Sequence, residues 1–112
     1  MNLQEAKNII GDLLAFLTLL QSPEARWDAV QEWLDKNPRW RSKMTHYLSL
    51  APEVAVQDLK GYIRARTGVP QELLALAVTP DIEAQARGAI EKLQTLYRER
   101  AQLTERNSHH VR

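Results

Sequence analysis

Residues 37–52 read NPRWRSKMTHYLSLAP, and this stretch decides the fold. It opens on Asn37-Pro38 and closes on Ala51-Pro52. Proline has no amide proton and a φ already set near the helical value. It therefore suits the first turn of a helix, where amides have no partner, and breaks a helix interior. An asparagine just before it offers a side-chain oxygen to an orphan amide of that turn. Between the two prolines Trp40, Met44, Tyr47 and Leu48 recur at three- and four-residue spacing, while Arg39, Lys43 and His46 point the other way. That is an amphipathic helix over 38–50, followed at once by a second helix start.

The same punctuation extends outward in both directions. Ser22-Pro23 and Thr79-Pro80 pair a capping side chain with proline; Ala51-Pro52 and Val69-Pro70 have the proline without the cap. Glu24, Glu53, Glu72 and Asp81 fall in the first turns, where carboxylates suit the positive end of the helix dipole. Gly68 is placed to close the helix that precedes Val69. The spacing predicts helices over 3–20, 23–36, 38–50, 52–66, 70–78 and 80–105. No segment alternates with a strand period, so no sheet is expected. The fold class is all-α, a compact bundle of about six helices, five short and one long at the C-terminus.

Apolar spacing assigns each helix a face. The first uses Ala6, Ile9, Ile10, Leu13, Leu14, Leu17 and Leu20, widened by Phe16 and Leu19. The second turns Trp27, Val30 and Leu34 inward and carries Glu24, Asp28, Glu32 and Asp35 as an acidic stripe. The fourth presents Val56, Leu59, Tyr62 and Ile63. The fifth, with almost no polar side, reads as a short buried plug. The sixth uses Ile82, Ala86, Ala89, Ile90, Leu93, Leu96 and Tyr97, with Glu83, Arg87 and Glu91 as an i,i+4 ladder outside. Gly11, Gly61 and Gly88 lie inside helices, where glycine is unfavourable, and close helix–helix approach is the expected reason.

Composition removes whole classes of function. With 112 residues the chain suits one domain, read here as 1–105 with a flexible polar tail at 106–112. There is no cysteine, hence no disulfide framework, thiolate nucleophile or sulfur-ligated metal. The most apolar run, Leu13–Leu20, covers roughly 12 Å as a helix, short of the ~20 residues that a membrane span needs. The first residues, MNLQE, lack the basic region of a secretory signal, so the expected location is cytoplasmic, with no membrane partner.

Candidate chemical groups are few. His46 has no ligand partner at helical spacing, and His109-His110 lie on the tail. Asp28 and Glu32 share a helix face without the Glu-x-x-His pattern of a di-metal bundle site. Phosphate-binding glycine loops and a nucleophile elbow are both missing. The sequence predicts no enzyme, cofactor or metal.

Charge layout says more than total charge. The net value is +1, yet residues 1–37 hold three basic and six acidic groups, whereas 38–72 hold six basic and three acidic. Lys36, Arg39, Arg41 and Lys43 surround Trp40, and Arg64 and Arg66 would join them if the third and fourth helices are neighbours. Such a set can grip phosphates while an aromatic stacks on a base, which makes nucleic acid the alternative partner. A helix-turn-helix through Gly68 is rejected, because Gln71 to Val78 offers a reader no cation. The leading expectation is a protein partner for an adaptor, assembly factor or inhibitor. Trp27 and Trp33 lie ~120° apart on their helix, so one core seam cannot hold both. Phe16 and Leu19 make the first helix apolar nearly all round. The long sixth helix makes a homodimer a further expectation.

Overall fold

The computed structural model describes residues 1–110, with side chains over residues 1–102. Among the described residues there are six helices and no strand: α1 (Leu3–Gln21), α2 (Trp27–Lys36), α3 (Pro38–Tyr47), α4 (Pro52–Thr67), α5 (Gln71–Ala77) and α6 (Pro80–His110). The all-α reading is correct. α6 runs five residues past its expected end at 105, so 106–110 of the expected tail continue the helix. The side chains of 106–110, including the His109-His110 pair, lie outside the described residues, as do residues 111–112.

α1 and α6 each pack against three other helices, α1 against α2, α4 and α6, and α6 against α1, α2 and α4; α2 also rests on α3. Ile9, Leu13, Phe16, Leu17 and Leu20 of α1 are buried, while Leu14 turns out toward solvent. Val30 and Leu34 of α2, Trp40, Met44 and Tyr47 of α3, Leu59 and Ile63 of α4, and Ile90 and Leu93 of α6 complete the core. The one buried polar residue among the described residues, Thr67, donates to the Ile63 carbonyl at 2.6 Å and accepts from the Val69 amide at 3.3 Å. It therefore incurs no desolvation penalty for a missing bond.

Helix ends differ from expectation in instructive ways. Thr79 caps α6 as predicted, accepting from the Ile82 amide at 3.3 Å. Gly68 closes α4 at φ 69°, its amide on the Arg64 carbonyl at 2.8 Å. Asn37, however, does not cap α3: its side chain donates backward to the Trp33 carbonyl at 2.8 Å and closes α2 instead. α2 begins at Trp27, not Pro23, because the chain spends Ser22 to Arg26 on reversing direction. The Ser22 hydroxyl accepts from the Glu24 amide at 3.3 Å, and Arg26 is extended. Asn2 caps α1 through the Glu5 amide at 3.0 Å, and its own amide reaches the Thr67 carbonyl at 2.7 Å, tying the start of α1 to the end of α4.

Three further expectations are corrected. α5 is not a buried plug: Leu74 faces the core, but Leu73 is 41% and Leu76 77% exposed. Seven residues make two turns, which leaves one outward side whatever its composition. Glu83 does not serve an outer ladder; it pairs with Lys60 of α4 across the α4–α6 contact. A Cβ placed on Gly11, Gly61 or Gly88 would meet nothing within 4 Å, so close helix approach is not what these glycines provide.

Candidate functional site

The two tryptophans of α2 go to different neighbours, as their ~120° separation allows. Trp33 packs on Phe16 of α1, ring centroids 4.7 Å apart, and Trp27 meets Tyr97 of α6 edge-on at 5.3 Å. Phe16 is fully covered by this arrangement and offers no contact surface, and Leu19 is half-buried against the core. Of the four interface candidates Phe16, Leu19, Trp27 and Trp33, Trp27 lines a concave surface.

That surface is a groove of about 260 Å³ where α2, α3 and α6 converge without closing. Trp27, Leu34, Met44, Leu48, Leu93 and Tyr97 form its apolar lining, and Gln31, Arg41 and Thr45 its polar side. Met44 and Leu93 belong to the core and form the floor; Tyr97, 44% exposed, stands at the mouth. On the polar side, Asp35 Oδ1 accepts from Gln31 Nε2 at 3.1 Å and lies 3.4 Å from Arg41 Nη2. One carboxylate behind the groove thus holds both donors in place.

Sequence reasoning assigned most of these side chains to the core and missed that three inward faces leave a gap between them. No periodicity reports such a gap. Its one outward sign is Tyr97, the last member of the α6 stripe, placed beyond the last core residue of that helix.

The opposite side of α3 is closed. The Tyr47 hydroxyl, buried in the core, donates to Asp58 Oδ2 at 2.7 Å, and Lys43 Nζ reaches the same oxygen at 3.1 Å while lying 4.6 Å from the Tyr62 ring centroid. The Tyr47 hydrogen bond, with the charge and hydrogen bond of Lys43 and the nearby His46, holds the Asp58 carboxyl below its ordinary range despite the opposing effect of burial. Tyr47 is pushed far up, first by burial and then by Asp58, and stays protonated.

The basic set resolves into ion pairs. Lys36 meets Glu32 at 3.1 Å, Arg41 meets Asp35 and Lys43 meets Asp58. Arg39 and Arg66 converge on Glu5, at 3.8 and 2.8 Å, and Arg64 donates to the Gln71 side chain at 3.4 Å. Three of the six cations of 38–72 are thus answered by carboxylates of 1–37, Arg39 and Arg66 by Glu5 and Arg41 by Asp35, so the segregation seen along the chain is partly closed within the fold. Trp40, cast as the base-stacking residue, is 1% exposed and its Nε1 donates to Asp12 at 3.4 Å. An indole with no free face cannot stack on a base.

Asp28 pairs with Arg100 at 3.2 Å, and among the described residues no group of three His, Cys, Asp or Glu is arranged to hold a metal. A second hollow of about 230 Å³ lies between α4 and α6, lined by Glu53, Gln57, Glu83 and Arg87 among others. No helix among the described residues is long and apolar enough to cross a membrane. No family model, curated protein or solved structure matches this chain.

Proposed function

We propose that this protein is a non-enzymatic helical module that binds another protein through the α2–α3–α6 groove. The observation that carries the reading is the groove's composition: tryptophan, tyrosine, methionine and arginine, the residue types enriched at interface centres, around one concave apolar surface. Trp27 and Tyr97 are held by each other before any partner arrives, which lowers the ordering cost of binding. A pocket of this size takes one or two large side chains, the usual form of a protein anchor.

The test uses substitution by bulk. Thr45 is an exposed member of the lining whose hydroxyl serves only its own helix, so Thr45→Trp fills the groove from outside without opening the core. Glu53→Trp does the same to the α4–α6 hollow as a control. Affinity purification from the native cell is expected to yield partners that Thr45→Trp loses and Glu53→Trp keeps, with both variants retaining wild-type circular dichroism. An identical partner set for all three proteins would overturn the reading.

A further inference from the structure

We infer that the occupant of the α2–α3–α6 groove is an acidic peptide segment: one large apolar side chain seated on Trp27, Met44 and Leu48, with an Asp or Glu a few residues away that takes Arg41. The inference rests on the proposed function and adds the chemistry of the partner.

Arg41 is the one charged residue in the lining. Its Nη2 faces Asp35 at 3.4 Å, and the guanidinium has five N–H donors, so donors remain for an acceptor arriving from the groove. Its side chain is 52% exposed, so those donors are hydrated in the free protein. A wholly apolar occupant would strip that water and replace it with nothing, leaving charged donors unsatisfied, which is costly. A basic occupant would have to compete with Arg41 for Asp35, the one carboxylate beside it, and would leave the remaining guanidinium donors without an acceptor. A carboxylate replaces the water and gains a charge-assisted bond, in bidentate form if it meets the guanidinium edge.

Gln31 supports the same choice. One of its two amide protons is spent on Asp35, and the other remains for the same carboxylate. Asp35 therefore acts as a positioning residue: by holding Gln31 and Arg41 on one oxygen, it fixes two donors along one edge of an otherwise apolar surface. A nucleic acid is the weaker occupant, because its affinity grows with the number of phosphates neutralised and this groove supplies a single cation.

The experiment selects from a random 12-residue peptide library displayed on phage, using the full chain as bait and Thr45→Trp for counter-selection. The expected winners share one Leu, Ile, Phe or Trp with an Asp or Glu within about four positions. As synthetic peptides they should bind roughly tenfold or more weakly to Arg41→Gln, the range for losing a hydrogen bond to a charged group. Arg41→Glu should turn the selection toward Lys- or Arg-bearing peptides. Winners that lose binding to Thr45→Trp yet ignore Arg41→Gln would overturn the acidic inference and leave the groove reading standing. Absence of any peptide sensitive to Thr45→Trp would overturn both. Self-association of the chain abolished by Thr45→Trp would overturn the inference by naming a second copy as occupant.

Discussion

Helix α3 has two sides built from the same kinds of residue and finished in opposite ways. Toward α1 and α4 it sends Trp40, Tyr47 and Lys43, each with a named polar partner: Asp12 for Trp40, and Asp58 for Tyr47 and Lys43 alike. Toward α2 and α6 it sends Arg41, Met44, Thr45 and Leu48, which line an open groove. The closed side consumes its hydrogen-bonding capacity internally and so holds the fold. The open side leaves donors and apolar area unspent, and unspent capacity is what a partner can use.

The strongest way to break this contrast is to truncate one residue on each side. Trp40→Ala should lower the free energy of unfolding by about 3–5 kcal/mol, the range for a fully buried large aromatic. Leu48→Ala, at a half-buried groove position, should cost less than about 2 kcal/mol, since part of its surface already faces water. Urea unfolding of the two variants gives both numbers. Equal losses would mean that the groove is as structural as the seam.

Next in size is the Tyr47–Asp58 bond. Tyr47→Phe removes the hydroxyl and should cost about 1–2 kcal/mol near neutral pH. Asp58 adds a pH signature. Its carboxyl is held below the ordinary value, so the folded state binds fewer protons than the unfolded chain between the two values. The stabilisation is complete above the unfolded pKa near 4 and is lost as pH falls through the lower folded value. Asp58→Asn and Tyr47→Phe should both flatten the acid limb of stability below about pH 4. Arg41→Gln, on the open side, should leave that limb unchanged.

How far each side was legible follows from the range of its interactions. Trp40, Met44 and Tyr47 could be assigned inward because three- and four-residue spacing is written along one helix. Asp58 could not be matched with Tyr47 and Lys43, because those partners lie 11 and 15 positions away on another helix. Pro23 misled for a related reason. A Ser-Pro start is locally sound, but the chain had to turn before α2 could place Trp27 on Tyr97. Asn37 had two local bonds to choose from, and only the assembled α2–α3 corner decides that it serves Trp33. The groove is the least legible feature of all, being a gap among three helices; Tyr97, read from its spacing as part of the inward stripe of α6, is instead 44% exposed at its mouth.

A smaller effect probes the mouth of the groove. A double-mutant cycle on Trp27 and Tyr97, each to Ala, should give a coupling of about 0.5–1.5 kcal/mol in stability, the range for edge-packed aromatic pairs. If the groove takes peptides as proposed, the two single variants should bind the selected peptides far more weakly than this modest loss of stability would suggest. That divergence is the mark of a surface shaped for contact. A coupling near zero would mean that the two rings are not held ready.

The smallest change concerns positions on neither side of α3. Gly11 and Gly88 are exposed within α1 and α6, and an added Cβ meets nothing within 4 Å at either. Helical backbone suits alanine there, and alanine also restricts the unfolded chain more than glycine does. Gly11→Ala and Gly88→Ala should each raise stability by about 0.4–1 kcal/mol, seen as a higher urea midpoint with an unchanged slope. Gly68→Ala should do the reverse by about 1 kcal/mol, because φ 69° strains any residue with a Cβ. The first two substitutions touch neither the Asp58 seam nor the groove, so their gain should add to the losses measured at Trp40 and Leu48. If either one also altered peptide binding, the open side of α3 would depend on more of the bundle than its own lining.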